Sequence, residues 1–169
     1  MPLTSPSLGA RAPLLALLAW LGAGCGTSNT LEGSLSEVVK IGFKQVEVTR
    51  TDTQIAVSYF TPVGPADQGA RDTVFKLTVN LSSVIAGTPA DLTPDLDGNP
   101  RAQATRAVAD DPVHLFAPLL NGSITFDASP DVEKKTSGSF HVFFGDGGDA
   151  GKGRTAYGTF SVAAVVSGT

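Results

Sequence analysis

Gly122-Ser123-Ile124-Thr125-Phe126, Gly138-Ser139-Phe140-His141-Val142 and Gly158-Thr159-Phe160-Ser161-Val162 share one pattern. Each runs glycine, small hydroxyl residue, large apolar residue, polar residue, apolar residue. Apolar positions two apart place one buried face on an extended chain, and spacings of 16 and 20 residues suit consecutive antiparallel strands joined by turns. The repeat is too short for a solenoid, whose units run about 20–45 residues. A three-stranded C-terminal meander is therefore predicted, with turns over Ser129–Ser137 and over the glycine-rich Gly145–Arg154.

The same alternation recurs upstream. Phe75, Leu77, Val79 and Leu81 oppose Lys76, Thr78 and Asn80, and Ile55, Val57 and Tyr59 form another alternating run that ends at Pro62. Val39, Ile41 and Phe43 alternate with polar or small neighbours before the phase slips to Val46 and Val48. That slip predicts one long strand with a bulge near Gln45. Residues 62–71 read as a loop. Residues 86–112, with Pro89, Pro94, Pro100 and Pro112, read as a long irregular segment that is functional or mobile. Pro118 interrupts the apolar run from Val113 to Leu120, which reads as an edge strand or a short helical turn.

The fold class that follows is all-β: an antiparallel β-sandwich of about six or seven strands, with a small β-barrel as the alternative. Composition agrees. Of 169 residues, 41% are hydrophobic and only 17% charged, and 19 glycines and 11 prolines supply turns. The length suits one domain. A net charge of −4 and the lack of a Lys/Arg cluster exclude an electrostatic footprint for nucleic acid.

The N-terminus has its own character. Arg11 is the only charged side chain before Cys25, and Ala12 to Leu21 is an apolar run too short to span a bilayer but suited to a signal-peptide core. It ends in Leu21-Gly22-Ala23-Gly24-Cys25, which holds the only cysteine, so no intrachain disulfide is possible. Over residues 1–25 the chain resembles bacterial lipoproteins. The resemblance implies cleavage before Cys25 and a diacylglycerol on its thiol, with Ala23 and Gly24 at the small positions of the cleavage box. The family prefers leucine three places before the cysteine. Here that place is Gly22 and the leucine is Leu21, so Gly22-Ala23-Gly24 also reads as an ordinary signal-peptidase site. The resemblance further implies export and a membrane attachment through the lipid. Gly26 stands where an aspartate retains some lipoproteins at the inner membrane, which points to the outer membrane. The expected organisation is a signal peptide over 1–24, a lipidated cysteine and flexible tether over 25–37, and a β-sandwich over 38–169. A twelve-residue tether spans ~40 Å when taut.

Candidate chemistry is sparse. Asp95, Asp97 and Asn99 have the spacing of a calcium loop, with Asp91 and Asp110-Asp111 as further donors, but the twelfth position holds Arg106 where an EF-hand needs glutamate. An Asx turn explains the same residues. Gly145 to Gly153 lacks the glycine and hydroxyl residue of a phosphate loop, and Asp146 and Asp149 would repel phosphate. His114 and His141 are the only histidines, and His141 lies on the polar phase of its strand. No zinc ligand set, nucleophile elbow or cofactor motif is present. Asp127, Asp131 and Glu133 are the carboxylates a hydrolase would use, in an alternative reading as an exported hydrolase with its acids between 86 and 133. Phe143 and Tyr157 lie on the face opposite their strands' main apolar residues. They cover a second apolar layer or, as the alternative, form a small binding platform, for example for sugar rings. The leading expectation is a non-enzymatic, lipid-anchored envelope module without cofactor, either binding a protein or glycan partner or serving as a structural subunit.

Overall fold

The computed structural model describes residues 28–64, 70–109, 111–147 and 150–168. In chain order its strands are β1 (Thr30–Glu32), β2 (Gln45–Arg50), β3 (Gln54–Pro62), β4 (Arg71–Asn80), β5 (Ala90–Asp91), β6 (Ala102–Val108), β7 (Asp111–Leu115), β8 (Leu119–Phe126), β9 (Thr136–Phe144), β10 (Thr155–Val162) and β11 (Val166–Ser167). They form two sheets, ordered β1-β10-β9-β8-β5 and β11-β2-β3-β4-β6-β7. The five-stranded sheet is antiparallel throughout. The six-stranded sheet has one parallel pair, β11 with β2. The sheets share no strand and do not close on each other, so the architecture is a β-sandwich and not a barrel.

The repeated pentapeptides are the centre of the five-stranded sheet, and the structure explains why two of them begin with glycine. Gly138 lies between Phe126 and Phe160 in the cross-strand register. Those two rings meet edge to face, centroids 5.1 Å apart, across the space a side chain would fill. A Cβ on Gly138 would come within 2.6 Å of Phe160 Cζ and collide with the carbonyl of Thr125. Gly158 sits opposite Phe140, and a Cβ there would lie 2.9 Å from both the Phe140 ring and the Tyr59 hydroxyl. Gly138 and Gly158 thus make room for aromatic rings on neighbouring strands, whereas a Cβ on Gly122 would meet the His141 carbonyl and Val142.

The core lies between the sheets. Phe75 of β4 stacks on Phe140 of β9, with centroids 5.5 Å apart and 8° between planes, so one ring from each sheet interdigitates at the middle. Tyr59 on β3 is fully buried and its hydroxyl crosses the sandwich to donate to the Thr159 carbonyl at 3.0 Å. That bond satisfies the one polar atom of a core aromatic.

Three sequence expectations are corrected. The first is the tether. Thr30–Glu32 is a strand paired with β10, and Ser34–Glu37 forms a 3-10 turn, so residues 30–37 are part of the domain and not a tether. Leu31 and Leu35 are buried. Two leucines among serine, threonine and glycine show no period over so short a run, so the docking left no pattern to read. Gly33, at φ 122°, permits the approach, since a Cβ there would collide with the Thr155 carbonyl. The second correction concerns residues 38–44, which form no strand. Ile41 is buried, Val39 and Phe43 pack partly against the core, and Lys40 offers its carbonyl to the Arg106 guanidinium at 2.8 Å. The irregularity expected near Gln45 sits instead at Tyr59/Phe60, where the register with β4 skips Val74. The third is the 86–112 segment, which contains β5, β6 and the start of β7. In β6 the buried positions are Ala102, Ala104 and Arg106, an alternation with little hydropathy contrast. With the two- and three-residue strands β1, β5 and β11, this raises the count from six or seven to eleven among the described residues.

Candidate functional site

The Asp95–Asn99 turn closes on itself. One Asp95 carboxylate oxygen accepts the backbone N–H groups of Asp97 at 3.0 Å and Asn99 at 2.8 Å, and the other accepts the Asn99 side-chain amide at 2.9 Å. The Asn99 side chain and then its backbone N–H hold the Asp95 carboxyl below the usual aspartate range. An oxygen pair engaged this way is an Asx-turn device, and Gly98, at φ 81°, completes the reversal. Asp91 caps its own turn through the Thr93 N–H at 2.9 Å. Arg106 is buried in β6, donating to the carbonyls of Lys40 and Val74. Asp110 and the side chain of Asp111 lie outside the described residues. No group of three or more His, Cys, Asp or Glu residues that would hold a metal occurs among the described residues.

The hydrolase carboxylates sit on a turn. Asp127 accepts the Ser137 hydroxyl at 2.6 Å, and Asp131 pairs with Arg50 at 2.8 Å. The Ser129 hydroxyl and the Arg50 guanidinium hold Asp131 below the usual range. A general acid for glycoside cleavage needs its carboxyl raised, and Asp91, Asp95 and Asp131 all move down. In the glycine-rich loop Asp146 pairs with Lys152 at 3.3 Å, while Asp149 lies outside the described residues.

The remaining candidates meet on the outer face of the five-stranded sheet. Tyr157 and His141 are directly opposite in the β10–β9 register, both exposed, with ring centroids 6.5 Å apart and tilted by 50°. Directly opposite residues share a face. The register therefore continues this row in both directions, from Glu32 on β1 through Tyr157, His141 and Ser123 to Asp91 on β5. Five side chains, one per strand, cross the whole sheet, a span of ~19 Å at the inter-strand spacing. Phe143 belongs to the same face but pairs with Thr155 and is half-buried. The sequence pattern identifies Phe143 and Tyr157. It misses Glu32, Ser123 and Asp91, because row membership depends on a pairing no local pattern encodes.

A separate cavity of about 300 Å³ opens between the sheets, lined by Leu92, Ala102, Ala104, Phe116 and Leu119 with prolines at its rim. None of its lining residues is titratable, so it offers apolar contact and no acid–base chemistry. No helix among the described residues is long and apolar enough to cross a membrane. The leader residues Leu21, Gly22, Ala23, Gly24 and Cys25 lie outside the described residues. Neither a protein-family model, nor a curated protein, nor a solved structure matches this chain.

Proposed function

We propose that this protein is a non-enzymatic, lipid-anchored module of the cell envelope, held by a diacylglycerol on Cys25. The outer face of its five-stranded sheet binds an extended glycan. The row Glu32–Tyr157–His141–Ser123–Asp91 carries the reading. Its centre offers ring faces for the apolar side of a sugar, and Ser123 and the Glu32 carboxylate offer hydroxyl-directed hydrogen bonds, while Asp91 at the far end is engaged by the Thr93 N–H and Arg101. Asp95, Asp127, Asp131 and Asp146 are committed to turns and ion pairs, and the cavity between the sheets has no titratable lining, which supports binding over catalysis. An outer-membrane location follows from the leader and from Gly26.

Two measurements test the two halves. Palmitate labelling of the expressed protein is expected to disappear in Cys25→Ala and to be accompanied by loss of membrane retention. Labelled or membrane-held Cys25→Ala would sink the anchor. Electrophoretic retardation in gels containing soluble envelope polysaccharide is expected for the parent and for Leu120→Ala. It is expected to be lost in Tyr157→Ala. Equal mobility of all three would sink the glycan face.

A further inference from the structure

The place where residues 28 and 29 dock bears on how an anchored domain would stand. The Ser28 carbonyl accepts the Thr159 hydroxyl at 2.7 Å, and the Asn29 side chain accepts the Ser161 N–H at 2.6 Å, so the chain enters at the C-terminal end of β10. Three Cα–Cα steps, through Gly26 and Thr27, separate Ser28 from Cys25, a reach of at most ~11 Å. The same end of the sandwich carries the β8–β9 turn, the β10–β11 connection and the loop before β5. Val165 bridges to Val132, and the Gly87 N–H donates to the Phe126 carbonyl at 2.7 Å. Three large apolar side chains stand exposed there: Ile85 at 65%, Val132 at 40% and Val166 at 46%. Ala163 and Ala164 between them are exposed as well.

Resting on the proposed lipid anchor, we infer that this end of the sandwich is a membrane-contact face, with Ile85, Val132 and Val166 seated in the lipid interface around the acylated N-terminus. Exposed apolar groups at the end of a domain whose described chain starts at most ~11 Å from a point held in the bilayer have a lipid surface as their nearest available apolar phase. Charge does not drive the contact. Lys134 and Lys135 share their turn with Asp127, Asp131 and Glu133, so the face is not basic and gains nothing from anionic headgroups. Contact is therefore independent of anionic lipid content.

The test uses single tryptophans, since the chain's only tryptophan, Trp20, lies in the leader. Processed, full-length protein carrying Ile85→Trp, Val132→Trp or Val166→Trp is reconstituted into phosphatidylcholine vesicles containing doxyl-labelled lipid, with and without phosphatidylglycerol. Val38→Trp and Leu120→Trp, at exposed positions away from this end, serve as controls. Mass spectrometry first establishes whether Cys25 carries lipid. The expected result is lipidated protein in which the first three tryptophans lose most of their fluorescence, the controls keep theirs, and phosphatidylglycerol changes nothing. Lipidated protein with all five probes equally bright overturns the contact face and leaves the anchor standing. Quenching that appears only with phosphatidylglycerol overturns the apolar basis. Protein without lipid overturns the anchor and this inference together.

Discussion

Leu35→Ala is the sharpest test of the fold, because it asks whether residues 30–37 are domain or leash. Leu35 is fully buried in a 3-10 turn. Its neighbours converge on Gly151: a Cβ placed there would lie 3.4 Å from Leu35 Cδ1, 3.4 Å from Phe116 and 3.5 Å from Phe144. Truncation removes three carbons, worth about 2.4 kcal/mol in transfer alone at ~0.8 kcal/mol each. Two rings and a strand backbone cannot collapse into the gap, so a cavity contribution brings the expected loss to about 3–4 kcal/mol. In a domain of this size that corresponds to a melting temperature lower by about 10 °C. Urea unfolding followed by far-ultraviolet circular dichroism measures it directly. Leu96→Ala is the control, since Leu96 is wholly exposed and its loss is expected to stay within ~0.5 kcal/mol. If Leu35→Ala costs no more than Leu96→Ala, the segment is not docked and the anchor regains its longer reach.

Two further outcomes follow from the same packing and charge pattern. Gly138→Ala forces a methyl group against the Phe160 ring and the Thr125 carbonyl and is expected to cost about 2–3 kcal/mol in the same unfolding assay. Gly42→Ala, with nothing within 4 Å of the added carbon, is expected to be near neutral. Asp131, held below its ordinary value of 3.8 first by Ser129 and then by Arg50, stabilises the native state fully above pH 3.8; that contribution is lost as pH falls through its lowered native value. Asp131→Asn is therefore expected to flatten the acid limb of the stability–pH curve, and an unchanged limb would contradict the pairing.

The strands that alternate large apolar and polar residues were readable, and those that alternate small with polar were not. β4 and the three-stranded meander announce themselves because Phe, Ile, Leu and Val contrast with Lys, Ser and Thr at period two. β6 hides because its inward residues are Ala102, Ala104 and a buried Arg106. Pairing was the other hidden quantity. Tyr157 and His141 each sit visibly on a polar phase, but only the register puts them opposite each other and extends the row to Glu32 and Asp91. The Asp95 turn shows the converse. The spacing Asp95, Asp97, Asn99 admits both a cation site and an Asx turn, and the choice rests on whether the backbone N–H groups have claimed the carboxylate oxygens.

The corrected start of the domain bears on how the glycan face would work. A twelve-residue leash lets a domain tumble and sweep ~40 Å from the membrane, so its binding face has no preferred direction. On the proposed anchor, the short span from Cys25 to Ser28 would set the sandwich on end, with β8, β9 and β10 rising from the bilayer and each cross-strand row parallel to it. Tyr157 stands four residues up β10 from Ser161, ~13 Å along the strand. The row from Glu32 to Asp91 then runs level above the headgroups. A level row of one side chain per strand fits a linear chain lying along the membrane better than one projecting from it. The proposed anchor and the proposed binding face would thus be coupled by geometry. Lengthening the chain between Cys25 and Ser28 with a flexible insert leaves every contact of the row intact, yet it is expected to weaken retention of membrane-parallel glycan while retardation by free polysaccharide stays unchanged. Equal effects on both assays would show that orientation plays no part.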